Sequence, residues 1–287
     1  DIIKLNANEN PYPPAPGVQQ ALRSFDASRL ALYPDANGKA LKTALANRFG
    51  LKPSQVFLGN GSDDVLALAF QSFFCSGEPV LYPDITYSFY PVWCDLFRIP
   101  YETVPLDENF CVRVRDYDRP NGGVVLPNPN APTGRGVSLD FLEDLLQHNA
   151  DCVVIIDEAY VDFGAQSAVP LIEKYENLLV VQTMSKSRSL AGLRIGYALG
   201  SETLIATLEA VKNSYNSYTM DAVALAAGEA AAADGAYFLE TCPKVNATRG
   251  GTAEALRGLG FTVSPSLSYF LFVTHPNKEA PVIFEYL

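Results

Sequence analysis

Lys186 lies in the stretch TMSKSRSLAGLR at 183–194, flanked by Ser185 and Ser187, with Arg194 eight residues on. A hydroxyl, an ammonium and a guanidinium around one loop can receive a phosphate, the arginine supplying a bidentate contact. A lysine desolvated in such a place can also form a Schiff base with a carbonyl. The plain alternative is a solvated basic loop. A second candidate is Asp157 in CVVIIDEAYVDF, with Tyr160 three residues on. A carboxylate at the end of a central strand can partner a protonated ring nitrogen, or simply form a turn or cap. In GNGSDD, Gly61, Ser62 and Asp63 would present free amides at a helix start, a ready anion site. Asp63 and Asp64 could equally be caps that favour the helix dipole. Tyr87 could stack its face on a flat ring or belong to the core. Asn128, Asn130 and Thr133 stand in a proline-stiffened loop of the kind that holds polar groups in place. Asn6, Asn8 and Asn10 are turn formers or pocket-lining groups.

These residues need elements to hold them. Leu178 to Val181 is apolar without alternation, as expected of a strand buried on both faces, so Lys186 falls near the carboxyl edge of a sheet. Open α/β sheets bind their ligands at that edge. Residues 153–156 read as a similar strand closed by Asp157, and 122–127 as another, broken by Pro127, Pro129 and Pro132. Residues 55–75 predict strand, tight turn and helix. A dinucleotide fingerprint does not fit there, because position 64 is Asp rather than a third glycine. The strand at 79–82 leads to Tyr87, which is expected to head a helix, and 101–115 suggest a pair of surface strands. Strand, helix and strand are expected to continue from Asp157 to Lys186, so that 55–200 alternate as a doubly wound sheet does. From 195 to 199 the chain is read as leaving that sheet.

Around this centre, prolines at 11, 13, 14 and 16 predict an extended N-terminal arm. A helix over 17–25 follows, then one from Gly38 to Gly50. Beyond 211 come Tyr215, Asn216, an alanine-rich helix, a second helix near 237–259 and a strand in FTVSPSLSYFLFV. The opening of a last helix is read at 279–287, with Pro281 in its first turn and an apolar face of Ile283, Phe284 and Leu287. That unfinished face, and a chain starting at Asp1, lead to the expectation that the functional protein continues beyond Leu287.

With 287 residues, 48% hydrophobic and 18% charged, the chain can bury a large core, one large domain plus a smaller one being the natural organisation. The expected division is 1–30 as arm and part of the small domain, 31–210 as the large domain and 211–287 as an incomplete small domain. A net charge of −11 leaves no electrostatic footprint for nucleic acid or an anionic membrane. The two histidines, His148 and His275, argue against a multi-histidine metal site or a histidine triad, and no metal is expected. His148 reads as a surface residue. The five cysteines, widely spaced, are read as reduced, buried thiols of a cytoplasmic protein. No apolar run approaches the ~20 residues of a membrane helix.

Taken together, GNGSDD, PNPNAPTG, DEAYVDF and SKSRSLAGLRIGY, in this order and spacing, resemble the fold type I aminotransferases that use pyridoxal phosphate. LNANENPYPP and ALYPD narrow the resemblance to the histidinol-phosphate aminotransferase group, over essentially the whole chain. It implies an α/β fold, a large domain with a mostly parallel doubly wound sheet and a smaller α+β domain. Lys186 would then be the Schiff-base lysine that also moves the proton between the α-carbon and C4′. Asp157 would keep the pyridine nitrogen protonated, Tyr160 would hydrogen-bond the phenolic oxygen and Tyr87 would stack on the ring. Ser62 and Asp63 through their amides, with Ser185 and Arg194, would hold the phosphate. Tyr33 resembles a tyrosine that reaches this phosphate from the other subunit, implying a homodimer with shared active sites.

Three departures stand out. Where the family has asparagine before Pro-Thr-Gly, this chain has Ala131, with Asn130 as the substitute. Tyr269 stands before Phe270 where asparagine is usual, and the family's C-terminal arginine has no counterpart. The expected activity is transamination of L-histidinol phosphate with 2-oxoglutarate, in histidine biosynthesis. An aromatic amino-acid aminotransferase or a phosphothreonine decarboxylase on the same scaffold are the alternatives, and an aminotransferase-like sensor domain of a regulator is the non-enzymatic one.

Overall fold

The apolar runs of the middle of the chain become strands buried along their whole length. These are β4 (Gly123–Pro127), β5 (Val154–Asp157), β6 (Leu178–Thr183) and β7 (Ile195–Gly200). The structure, a computed structural model, describes residues 4–286. Before these strands come α1 (Pro16–Arg23), α2 (Lys39–Phe49), β1 (Val56–Asn60), α3 (Ser62–Phe73), β2 (Val80–Pro83), α4 (Phe89–Phe97) and β3 (Tyr101–Val104). Helix α5 (Leu139–His148) joins β4 to β5. After β7 follow α6 (Glu202–Asn213), α7 (Ala222–Ala233), α8 (Gly235–Gly258), β8 (Thr262–Val263), β9 (Val273–Thr274) and α9 (Ala280–Tyr286).

One seven-stranded sheet has the order β1-β7-β6-β5-β4-β2-β3. Strands β6, β5, β4, β2 and β3 are parallel, and β7 runs antiparallel to both β6 and β1. The carboxyl ends of β1, β4, β5 and β6 therefore meet at one edge. Both faces are covered, as a parallel sheet requires. On one face Leu126, Ile156 and Val180 pack with Leu41, Leu45, Leu142 and Leu146. On the other, Val125, Ile155 and Val181 pack with Val65, Phe70 and Tyr90. Side chains alternate along a strand, so Asp157 shares the face of Ile155 and is aimed at α3 and α4. Helix α7, beyond the expected boundary at 210, sets Ala224, Ala227 and Ala231 into the first of these layers.

Four expectations are corrected. Residues 195–199 do not leave the sheet; they are β7, inserted between β6 and β1. No helix links β5 to β6: the link holds only 3-10 turns at Val161–Phe163 and Val169–Leu171. Gly164, at φ +138°, and Pro170 keep it from extending. Residues 101–115 hold one strand rather than two, because Asp107 takes the amides of Asn109 and Cys111 on its own carboxylate. The late segment contributes only β8 and β9, which pair antiparallel, and Tyr269 and Phe270 lie in the loop between them.

Helix α9 forms where the sequence places it, with Phe284 83% exposed, while Leu287 lies outside the described residues. His148 ends α5 and is partly exposed. Of the cysteines Cys94 and Cys242 are buried, whereas Cys75 is exposed and Cys111 and Cys152 are intermediate. Among the described residues no single helix is long and apolar enough to cross a membrane.

Candidate active site

At the carboxyl edge a cleft of about 220 Å³ is lined by Ser62, Asp63, Tyr87, Asp157, Tyr160, Ser185, Lys186 and Arg194, which come from five separate stretches of chain. Its floor is Asp157, 6% exposed. The carboxylate accepts from the Tyr90 hydroxyl at 2.8 Å and from the Ala159 amide at 3.2 Å. Burial pushes its pKa up to about 6, against the lowering pull of those two donors. Both partners are neutral, so a cation brought beside Asp157 would favour the ionised form. Tyr90 is a residue that the sequence reading missed. Its signal was present, three residues after Tyr87 on the apolar face of α4.

Lys186 follows β6 by three residues. Its Nζ donates to the backbone oxygen of Asn8 at 3.3 Å and lies 5.5 Å from the centroid of the Tyr160 ring. Burial lowers its pKa, Asp63 and Glu9 pull it back up, and Arg194 adds to the lowering. A lowered ammonium pKa leaves more neutral amine at any given pH. The proline-rich arm lies over this lysine. Asn10 Nδ2 donates to the Lys186 carbonyl at 2.9 Å and Asn8 Nδ2 to the Tyr160 hydroxyl at 3.2 Å. Asn8 takes a left-handed conformation, φ 50°, that asparagine tolerates better than most residues. Ala7 and Glu9 complete that wall of the cleft. Asn8 and Asn10 thus line or brace the site; their clustering was the only sequence signal.

The opposite end is built for an anion. Helix α3 begins at Ser62 with Gly61 as its N-cap, and no side chain caps it, so the amides of its first turn face the cleft edge unclaimed by the helix. Gly61 has φ +90°, and a Cβ there would stand 2.4 Å from Arg194 Nη2. Glycine therefore serves both the turn and the seat of the guanidinium. A Cβ on Gly196 would come within 2.3 Å of the Ser62 nitrogen, so β7 approaches this turn only because it carries glycine. Arg194 Nη2 is 3.5 Å from Asp63 Oδ2, a loose and half-exposed pair of little energetic weight. Ser185 is buried, its Oγ accepting from Thr183 Oγ1 at 2.9 Å.

Tyr87 precedes α4 by two residues rather than heading it. Its hydroxyl donates to Asp63 Oδ1 at 2.9 Å, and burial, then Asp63, pushes its pKa up. Tyr160 also has its pKa raised by burial. Its ring meets those of Tyr269 and Phe270 edge-on at 5.6 and 5.0 Å.

One expected residue lies elsewhere. Asn130 is turned away from the cleft and fully used: its Nδ2 donates to Ile85 O at 2.9 Å and Thr133 Oγ1 at 3.0 Å, while its Oδ1 accepts from Thr86 at 3.1 Å. Ala131 faces the cleft instead, so the one-residue shift does reverse the side chain's direction. Tyr33, expected at the other subunit's phosphate, is 81% exposed outside its own chain's cleft, with its ring stacked on Tyr218 at 4.6 Å. Asn128 is buried and braces the loop, accepting from Val137 N and donating to Gln166 O.

The residues present fit pyridoxal phosphate. A carboxylate made hard to ionise by burial, on neutral donors alone, suits a protonated ring nitrogen. An uncapped helix start with an arginine suits a phosphate, and a lysine amine held between them suits the aldehyde.

The family description Aminotransferase class I and II matches residues 1–287. The histidinol-phosphate aminotransferase of Acinetobacter baumannii (strain SDF) is 56% identical over 283 residues, 98% of this chain and 78% of that protein. That of Chromohalobacter salexigens is 55% identical over 99% of this chain and 81% of its own length. The crystal structure of histidinol-phosphate aminotransferase from Sinorhizobium meliloti in complex with pyridoxal-5'-phosphate superposes with a TM-score of 0.84 at 27% identity, covering 94% of this chain and 75% of that one.

Proposed function

Since the chain belongs to the class I and II aminotransferases and is a transaminase dependent on pyridoxal phosphate, we propose that it moves the amino group of L-histidinol phosphate to 2-oxoglutarate, in the cytoplasm, as a step of histidine biosynthesis. The observation that carries this reading is identity above 50% with histidinol-phosphate aminotransferases over nearly the whole chain.

In this reading each residue acts through its position. Lys186 Nζ would hold the cofactor through its aldehyde carbon and, when free, would carry the substrate's α-proton across the intervening nitrogen to C4′. Its lowered pKa keeps the amine able to accept that proton. When bound, pyridoxal phosphate supplies an electron sink for the pair left behind by the α-proton. Asp157 holds the proton on the ring nitrogen. Tyr160 donates toward the ring oxygen, and its link to Asn8 orients the hydroxyl. Tyr87 offers its face to the ring. The amides of Ser62 and Asp63, the Ser185 hydroxyl and the Arg194 guanidinium hold the phosphate. The arm over Lys186 excludes water from the amine.

A panel of amino donors, followed at the cofactor absorbance in half-reactions, tests the substrate. L-histidinol phosphate should convert the cofactor at least ~100-fold more efficiently than L-phenylalanine, L-tyrosine or phosphothreonine, the scale expected where a site pairs a substrate's polar groups. An aromatic amino acid as the best donor would overturn the assignment.

We further propose a homodimer in which Tyr33 serves the partner's site. What supports it is a tyrosine 81% exposed, outside its own chain's cleft and fixed by stacking on Tyr218, beside exposed Leu30 and Leu32. Sedimentation at micromolar concentration should report twice the mass of the chain; a fully active monomer would contradict the shared site.

A further inference from the structure

The serines flanking Lys186 are not equivalent. Ser185 lines the cleft, whereas Ser187 turns its hydroxyl the other way and donates to Asp162 Oδ2 at 2.5 Å. Ser187 is 5% exposed, so this donor has no water to fall back on. Asp162 lies two residues after Tyr160, in the 3-10 turn Val161–Phe163 that follows β5. One short hydrogen bond to a carboxylate thus joins the loop carrying Lys186 to the turn that Tyr160 caps, just after Asp157. Such charge-assisted bonds are about twice as strong as neutral ones.

The surroundings make the tie rigid. Below it, Gln182 donates to Glu158 Oε2 at 2.7 Å and accepts from the Tyr197 hydroxyl at 2.8 Å, locking β5, β6 and β7 together. Glu158 also holds Ser167 and the Ala168 amide, fixing the far end of the same turn. Beside it, Arg188 is anchored by donation to Asp234 O at 2.9 Å and by the face of Phe238, 3.7 Å from its guanidinium carbon. Asp162 acts electrostatically on Arg188, Glu158, Tyr197 and Cys242. Nothing in the assigned chemistry uses either Asp162 or Ser187.

We propose that Asp162 and Ser187 are a pair of positioning residues that hold the Lys186 loop in register with the Tyr160 turn, so that the lysine amine keeps its place over the Tyr160 ring. The pair rests on the reading of Lys186 as the residue that carries the cofactor. Without the tie, the two strand-end loops keep their strands but lose their mutual register, and misplacements near 1 Å are costly in catalysis.

The test is a double-mutant cycle on the holoenzyme with Ser187→Ala, Asp162→Ala and the double variant, plus Asp162→Asn. Two readouts are taken: kcat and KM for L-histidinol phosphate, and the pH midpoint of the cofactor absorbance before substrate is added. Ser187→Ala and Asp162→Ala should each lower kcat about 10-fold with KM within about twofold, and shift the midpoint in the same direction. The double variant should match the singles, as residues acting through one bond do. Asp162→Asn keeps an acceptor for Ser187 and should restore most of kcat. Additive losses, or an unchanged midpoint in Ser187→Ala, would overturn the pair while leaving the lysine assignment intact. A cofactor absorbance that is the same in Lys186→Ala as in the parent holoenzyme would take down the lysine assignment itself.

Discussion

Lys186→Ala is expected to lower kcat/KM for transamination by at least ~10⁴-fold, about 5.5 kcal/mol of transition-state stabilisation, because covalent attachment and proton transfer disappear together. The fold should tolerate the change. The Nζ makes one hydrogen bond, to Asn8 O at 3.3 Å, and a long contact to the Tyr160 ring. The loop itself is held through other atoms, by Asn10 on the Lys186 carbonyl and by Ser187 on Asp162. The variant should therefore melt within a few degrees of the parent, and still take up pyridoxal phosphate through the anion site. Activity within tenfold of the parent would mean that another amine does the work.

Asp157→Asn separates a functional carboxylate from a structural cap. In the holoenzyme the variant should transaminate at least ~100-fold more slowly, about 3 kcal/mol, since a neutral amide cannot keep the ring nitrogen protonated. In the cofactor-free protein the sign reverses. The folded-state pKa of Asp157 is raised from 3.8 to about 6, so the folded state favours the protonated acid. That preference costs the fold nothing below about pH 4. The penalty grows as pH rises from about 4 to 6 and is complete above it, at roughly 3 kcal/mol for two pKa units. Removing the charge should leave the cofactor-free protein at pH 8 as stable as the parent or more so. The Tyr90 hydroxyl can turn to accept from the new amide, which keeps the buried partners matched. Thermal melting with and without cofactor reads both effects. A large loss of stability in the cofactor-free variant, with normal activity in the holoenzyme, would mean that Asp157 is a cap.

The parts of the site that could be read along the chain are those whose signal is local. A run such as Val-Val-Ile-Ile closed by Asp157, or Leu-Leu-Val-Val followed by a lysine loop, carries its own period and its own end. The start of α3 was legible for the same reason, since Gly61 and the acidic first turn mark a helix beginning. What failed depends on distant partners. Ile-Gly-Tyr-Ala-Leu-Gly is a buried strand only because Gly196 lets it lie against the Gly61–Ser62 turn and pair between β1 and β6. The direction of Asn130 depends on Ile85 and Thr86, some 45 residues away. The link from β5 to β6 has helix-length spacing, and Glu158 organises it by capturing Ser167 and Ala168 before a helix can form. The bracing of Lys186 by Asn8 and Asn10 spans 178 and 176 residues and leaves no local pattern beyond a cluster of asparagines.

The assignment of Lys186 is tested most directly by borohydride reduction of the holoenzyme followed by peptide mapping. The account predicts a yellow protein that loses its visible band on reduction, with one equivalent of pyridoxyl group on the peptide containing Lys186 and none in Lys186→Ala. A pyridoxyl group on any other lysine would contradict it.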